Sequence, residues 1–313
     1  MKFNKIQIAL YGIIFFLIAC KKSDLQPVAQ PTQQEIGDIS SSEYPNTTTQ
    51  EETDDTSSTN NDHNTATQST QGETGGISTS NQKFDCSHLF YQIYGKSAQV
   101  ASINTVGSNF ENIGEGYGAI CKAAGYNSND SYAYGLLHRS NQLIRIHADG
   151  SFENLGSVNA LGALDWNAGD FGDDGLFYVK AGGGTDQLLG INVHTKSVDR
   201  VIQVSTPFKQ GDIVYEPNGK IFYSVENLDE GMRRLISINP ANGEVKTIGS
   251  PFKSAIIGAM FTDFEGRIYG AANNGSGIYE FDKITGKSIH VGNAPVAIQN
   301  DGFSCPSSNP IKH

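Results

Sequence analysis

The sequence predicts an all-β fold: a five-bladed β-propeller whose ring is closed by the C-terminal strand, preceded by a disordered tether. Three observations predict it. A glycine leading an apolar strand recurs at Gly118-Ala-Ile-Cys121, Gly169-Asp-Phe171, Gly211-Asp-Ile-Val-Tyr215, Gly258-Ala-Met-Phe261 and Gly302-Phe-Ser-Cys305, at spacings of 51, 42, 47 and 44 residues. The first four copies are each followed by three more strands, whereas the fifth has only a short polar tail. The segment that opens at Phe84 supplies three strands and no leader, so the two ends complete one unit. A β-sandwich would explain neither the repetition nor the divided unit.

Each leader runs into a tight polar turn, as in Asp173-Asp-Gly175, Glu216-Pro-Asn-Gly219 and Asp263-Phe-Glu-Gly266, the chemistry of a hairpin. Aromatic-rich second strands follow: Phe90–Tyr94, Ala133–Leu137, Leu176–Val179, Ile221–Ser224 and Ile268–Ala271. Third strands alternate apolar and polar side chains, so one face enters the core between blades: Ala101–Asn104, Leu143–Ile146, Leu188–Ile191, Leu235–Ile238 and Ile278–Phe281. Outer strands end alike at Gly114, Gly156, Gly249 and Gly292, and only Val198 to Val204 lacks the terminal glycine.

The stretches Gly118 to Gly135, Asn141 to Gly150 and Ala168-Gly-Asp-Phe-Gly-Asp-Asp-Gly-Leu-Phe-Tyr178 resemble a family of exported bacterial β-propellers, a domain of unknown function related in pattern to quinoprotein-like and lactonase-like propellers. That resemblance spans 84–313 and implies a surface or secreted propeller without specifying an activity.

Residues 1–19 read as an export signal: Lys2 and Lys5 precede the apolar run from Ile6 to Ile18, which is short for a bilayer span of about 20 residues. Leu17-Ile-Ala-Cys20 resembles the lipobox of bacterial lipoproteins, which implies cleavage after Ala19 and a diacylated Cys20. Lys21, where an aspartate would hold a lipoprotein at the inner membrane, implies an outer-membrane lipoprotein, with the membrane a partner through its lipid. Residues 20–83 are Ser, Thr, Asn, Gln and acids with almost no apolar surface to offset the entropy of ordering, so they are expected to form a tether spanning roughly 40–50 Å. The β-propeller domain is expected over 84–313.

Of the net charge of −11, the tether holds three lysines against ten acids and the domain carries about −6, with no basic patch. A nucleic-acid partner is therefore not expected. With Cys20 assigned to lipid, Cys86 stands before the opening strand and Cys305 ends the returning one, so a Cys86–Cys305 disulfide would lock the ring. The rival pair Cys121–Cys305 would join neighbouring innermost strands, beyond the reach of a disulfide. Cys121 is then a buried free thiol.

Asp170, Asp212 and Asp301 lie beside leading glycines and are expected near the upper mouth of the central channel. With Glu115 as the acid, they could form the paired carboxyls of a glycosidase, or they could be pinned by backbone N–H groups. Asp170 and Asp174 occupy positions 1 and 5 of a calcium-loop spacing, but Gly172 and Tyr178 stand where two further ligands belong, and an ordinary turn is expected there. The seven histidines, His138 and His147 included, show no metal spacing, so neither metal nor cofactor is expected. No Gly-x-Ser-x-Gly elbow occurs.

The loops expected on one face bring together Tyr117, Trp166 and Asn167 with His138, Arg139, Asn227 and Asn273. Aromatic platforms beside amides are what a glycan or extended peptide needs. The predicted function is a lipid-anchored binding module recognising a glycan or an envelope protein there. The alternative is a carbohydrate hydrolase or lactonase using the channel carboxylates.

Overall fold

The computed structural model describes residues 82–85, 89–107 and 109–312, all within the second of the two units into which the chain divides, Gly72–His313. It is a five-bladed β-propeller, each blade a four-stranded antiparallel sheet. The first blade holds β1 (Leu89–Tyr94), β2 (Gln99–Asn104) and β3 (Phe110–Ile113). The second holds β4 (Cys121–Asn127), β5 (Tyr132–Leu137), β6 (Gln142–Ile146) and β7 (Phe152–Ser157). The third holds β8 (Trp166–Phe171), β9 (Phe177–Ala181), β10 (Gln187–Asn192) and β11 (Ser197–Gln203). The fourth holds β12 (Gln210–Glu216), β13 (Ile221–Asn227), β14 (Met232–Ile238) and β15 (Val245–Lys253). The fifth holds β16 (Ile257–Thr262), β17 (Ile268–Ala272), β18 (Ile278–Phe281) and β19 (Ser288–Gly292).

Last comes β20 (Asp301–Ser304), which closes the ring by pairing with β1 in the register Phe90↔Ser304 to Ile93↔Asp301. This is the divided unit expected from the two ends. Cys305, directly after β20, is disulfide-bonded, and the buried Cys121 is free, so the Cys121–Cys305 pair does not form. Cys86, its expected partner, lies outside the described residues, as do Cys20, the signal and the tether up to residue 81.

The five innermost strands are β20, β4, β8, β12 and β16. The last four begin at 121, 166, 210 and 257, and β20 at 301, so their starts are 45, 44, 47 and 44 residues apart. That is more even than the glycine spacing because Gly118 leads no strand: it sits in a loop at φ +82°. On the innermost strand of the second blade the glycine packed against its neighbour is Gly125, where an added Cβ would come within 2.8 Å of the Asp170 Cα on β8.

The aromatic second strands fill the space between blades. Phe90 stacks on Phe261 at 5.0 Å, and Tyr178 meets Phe222 edge-on at 5.2 Å, each pair crossing a blade boundary. Buried tyrosine hydroxyls need partners, and three blades supply one from the first hairpin. Tyr134, Tyr178 and Tyr269 each donate at 2.7 Å to Asp130, Asp174 and Asp263 respectively. Asp174 also accepts from Arg200 and from Leu176 N–H, so the segment read against a calcium loop is a braced turn whose Asp174 is taken up by protein donors.

The chain is fastened where it meets the domain. Gln82 O accepts from Ala148 N at 3.0 Å, Phe84 N donates to Ser131 O at 3.0 Å, and the Phe84 ring is buried among Tyr91, Tyr126 and Phe303.

Candidate functional site

At their upper ends the innermost strands of four blades carry the same irregularity. The pairing of each with its second strand skips residues between Lys122 and Ala124, Trp166 and Ala168, Gln210 and Ile213, and Ile257 and Ala259. The residues left out of the ladder are Ala123, Asn167, Gly211 with Asp212, and Gly258. A bulge re-aims side chains and frees backbone at a rim. Here four of them ring one mouth.

That mouth holds a cavity of ≈ 260 Å³ lined by six amide side chains, Asn167, Gln210, Asn227, Asn273, Gln299 and Asn300, with Lys122, Ile256 and the backbones of Gly211 and Gly258. Asn227 ends β13 and Asn273 follows β17, so the lining joins strand starts from some blades to strand ends from others. Five of the six amides keep one buried atom without a protein partner: Gln210 Oε1, Asn227 Oδ1, Asn273 Oδ1, Gln299 Oε1 and Asn300 Nδ2. Unpaired buried polar atoms are uncommon in a folded protein and call for an explanation. Gln210 is held by its other end, since Nε2 donates to Ala181 O and to Asn167 Oδ1, each at 3.3 Å. Asn167 Nδ2 in turn donates to Gln210 O at 3.1 Å. Gln299 sits in the left-handed region at φ +54°, a conformation that costs energy without glycine and that clusters at functional sites.

Three of the seven side chains singled out for binding, Asn167, Asn227 and Asn273, meet in this cavity. His138 stands beside it: its Nδ1 lies 2.9 Å from Asp165 Oδ1, which also accepts from Lys122 Nζ at 3.2 Å. Arg139 is exposed in a turn at φ +51°. Tyr117 lies elsewhere, in a 330 Å³ cleft with Glu115, Asp149 and Phe152 beyond the end of β3. Trp166 is 4% exposed, packed in the core of the second and third blades, and its Nε1 donates to Gly162 O at 2.8 Å, so it offers no open ring for stacking. Phe208 is also core, its ring 4.5 Å from the buried ammonium of Lys180. Four polar lining side chains, Lys122, Gln210, Gln299 and Asn300, are not among those the sequence singles out. Their signal is slight: an amide one or two residues before a leading glycine, at Asn167, Gln210 and Asn300.

Beneath the cavity the three aspartates converge on the axis. Asp170 accepts from Phe171 N and from Tyr215 N on β12, both at 2.8 Å. Asp212 accepts from Ile213 N and Met260 N, and from Gly302 N at 3.2 Å on β20, across the axis. Asp301 receives Ala123 N and Ala124 N on β4, each at 3.0 Å, two successive N–H groups turned together by the bulge at Ala123. The carboxyls thus stitch β8 to β12, β12 to β16 and β20, and β20 to β4. Ser304 does the same between β20 and β16, donating to Thr262 O and accepting from Thr262 N. Asp212 and Asp301 are 0% exposed, so the axis is packed below the mouth. Glu115, in its separate cleft, does not join them.

Burial pushes the Asp170 carboxyl up to about 7 against its backbone hydrogen bonds. Burial raises Asp212 and Asp301 as well, with repulsion from Asp170 adding to it at Asp212 and repulsion from Asp212 at Asp301. For a carboxyl raised in the folded state the linkage runs opposite to the usual aspartate. The folded chain keeps a proton that the unfolded chain has lost above about pH 4, so stability falls as pH rises towards 7, and the penalty is fully present above it. The native domain is expected to be more stable at pH 5 than at pH 8 by on the order of a few kcal/mol. Urea denaturation at the two pH values measures this, and Asp170→Asn should flatten the difference. An unchanged slope in that variant would remove Asp170 from the account.

A family model for a repeat of unknown function, DUF6923, matches residues 90–307. No curated protein matches the chain. Among solved structures, the chain is similar to virginiamycin B lyase from Staphylococcus aureus at 11% identity over 66% of this chain and 72% of that one, with a TM-score of 0.41. It is similar to a protein of unknown function from Bacteroides thetaiotaomicron at 12% identity over 64% of this chain and 58% of that one, with a TM-score of 0.42. At these identities and scores the likeness bears on neither ligand nor chemistry.

Proposed function

The chain belongs to the DUF6923 repeat family, and from that premise we propose that it is a lipid-anchored binding protein of the outer membrane whose propeller captures its ligand, a glycan or an envelope protein, at the amide-lined mouth. One observation carries this: five amides drawn from four segments of the chain line one cavity, and each keeps a buried polar atom without a partner. A set of groups left without partners inside a protein is costly unless something else completes them, because each loses its hydrogen bond to water. The lipobox at Leu17 to Cys20 and the polar tether supply the anchoring half of the proposal.

The hydrolase or lactonase alternative draws on Asp170, Asp212 and Asp301. Their convergence and raised pKa values are what such a site needs, but their oxygens already accept backbone N–H groups, and two of the three are wholly enclosed. The amide cavity supports binding better than the carboxyls support bond cleavage.

The test is an array of glycans, envelope polymers and envelope proteins probed with the intact chain and with Asn227→Ala/Asn273→Ala, with released product assayed in the same wells. Binding that falls at least about tenfold in the double variant, without product, is the expected result. Product formation would favour the hydrolase, and binding indifferent to both asparagines would move the site elsewhere.

A further inference from the structure

We infer, resting on the reading of the mouth as the binding site, that its ligand is a single uncharged polyhydroxylated ring, of the size and chemistry of a neutral monosaccharide or cyclic polyol. The cavity, at ≈ 260 Å³, is smaller than the roughly 300–1,000 Å³ of pockets that take drug-sized ligands. Its inner end is closed: Asp212, Ala259 and Asp301, each adjoining a lining residue in the chain, have no exposed surface. A chain of several sugars can place one ring in it, not several.

The lining selects the chemistry. Gln210 Oε1 is fixed as an acceptor because its Nε2 is committed to Ala181 O and Asn167 Oδ1. Asn300 Nδ2 is an unpaired donor, and Asn227 Oδ1, Asn273 Oδ1 and Gln299 Oε1 are unpaired acceptors. Four unpaired oxygens and one unpaired N–H call for a partner that donates several times and also accepts; a hydroxyl does both at one atom, so a neutral ring carrying several completes such a set.

Anions find no free cation, since Lys122, the one charged side chain of the lining, is paired with Asp165, and three carboxyls lie beneath. A calcium ion wants six to eight oxygens including carboxylates, and those beneath are enclosed and already accepting N–H groups. No aromatic ring lines the cavity, so recognition rests on hydrogen bonds rather than stacking.

Gly258 gives the test its edge. A Cβ there would overlap Asn273 Oδ1 and Asn300 Oδ1, the free ends of two side chains and no backbone atom. Gly258→Ala should displace both amides while leaving the fold intact. The intact chain and Gly258→Ala are titrated calorimetrically with neutral monosaccharides and cyclic polyols, the matching sugar acids and amino sugars, short oligosaccharides and calcium chloride, with a thermal melt of each protein. Expected is binding of a neutral single ring that weakens at least about tenfold in Gly258→Ala at nearly unchanged melting temperature. Binding only of charged sugars or calcium, or of a ring with equal affinity in both proteins, overturns the inference. If no single ring binds but the array finds a polymer or protein whose capture needs Asn227 and Asn273, the inference falls and the binding reading stands. If neither experiment finds a ligand, both fall.

Discussion

Gly211→Ala is expected to destabilise the propeller domain by about 3 kcal/mol or more, the upper range for forcing an atom into a close-packed interior. The added Cβ would lie far inside contact distance of the Ile257 carbonyl oxygen and against the Gly258 Cα. Both are backbone atoms of β16, and β16 cannot retreat freely. Asp212, next to the substitution, holds Met260 N from β12 and reaches Gly302 N across the axis, so a shift of either strand strains the carboxyl that joins three blades. Urea denaturation of the variant beside Gly258→Ala measures the effect. The pair is informative because the two glycines line the same cavity, one facing backbone and the other side-chain tips. Equal stability of both variants would mean that the innermost strands are less tightly fixed than these contacts require.

The second large effect concerns closure. Strand β20 has four residues, and besides its ladder to β1 the last segment meets the first blade at a few points, the Val106–Lys312 bridge with Lys312 N donating to Thr105 O, and Ser308 Oγ donating to Leu89 O. Cys305, wholly buried at its end, adds a covalent tie. If its partner is Cys86, as the sequence expects, the bridge closes most of the domain, for which the chain-entropy model assigns on the order of 4–5 kcal/mol. Cys305→Ser should then lower the melting temperature by about 10 °C or more for a domain of this size. Cys121→Ala should change far less, because burial pushes that thiol up and leaves it a small apolar filler. Peptide mapping without reductant should recover a fragment joining Cys86 to Cys305. A melting temperature indifferent to Cys305→Ser would leave closure to the ladder and the bonds made by Ser308 and Lys312.

The blade pattern was legible in the sequence because it rests on local chemistry: aromatic second strands such as Ile221 to Ser224, Gly-containing turns such as Asp263 to Gly266, and an end that lacks what the beginning supplies. The misplacement in the second blade has a physical origin. Gly118-Ala-Ile-Cys121 imitates a leading strand in composition, but what makes a leader is proximity to the neighbouring strand, and Gly125 has that. Bulges leave no mark in the alternation of apolar residues, so the four irregularities that shape the mouth were not visible. Trp166 looked like a platform because aromatic rings near loops often are. Its hydrogen bond to Gly162 depends on how the loop before β8 folds back. Of the cavity, Asn167, Asn227 and Asn273 could be placed from their loops, whereas Gln210, Gln299 and Asn300 are ordinary polar residues until blades distant in sequence bring them together.

The fastening of Gln82 and Phe84 has a mechanical consequence. A pull arriving along the chain from its N-terminal side does not reach β1 first. It meets main-chain bonds to Ala148 and Ser131 of the second blade and a ring lodged between Tyr91 and Phe303 of the first. Load thereby falls on two blades, the Gln82 bond first and the Phe84 contacts next, and all must fail before the first strand can be peeled rung by rung from its sheet.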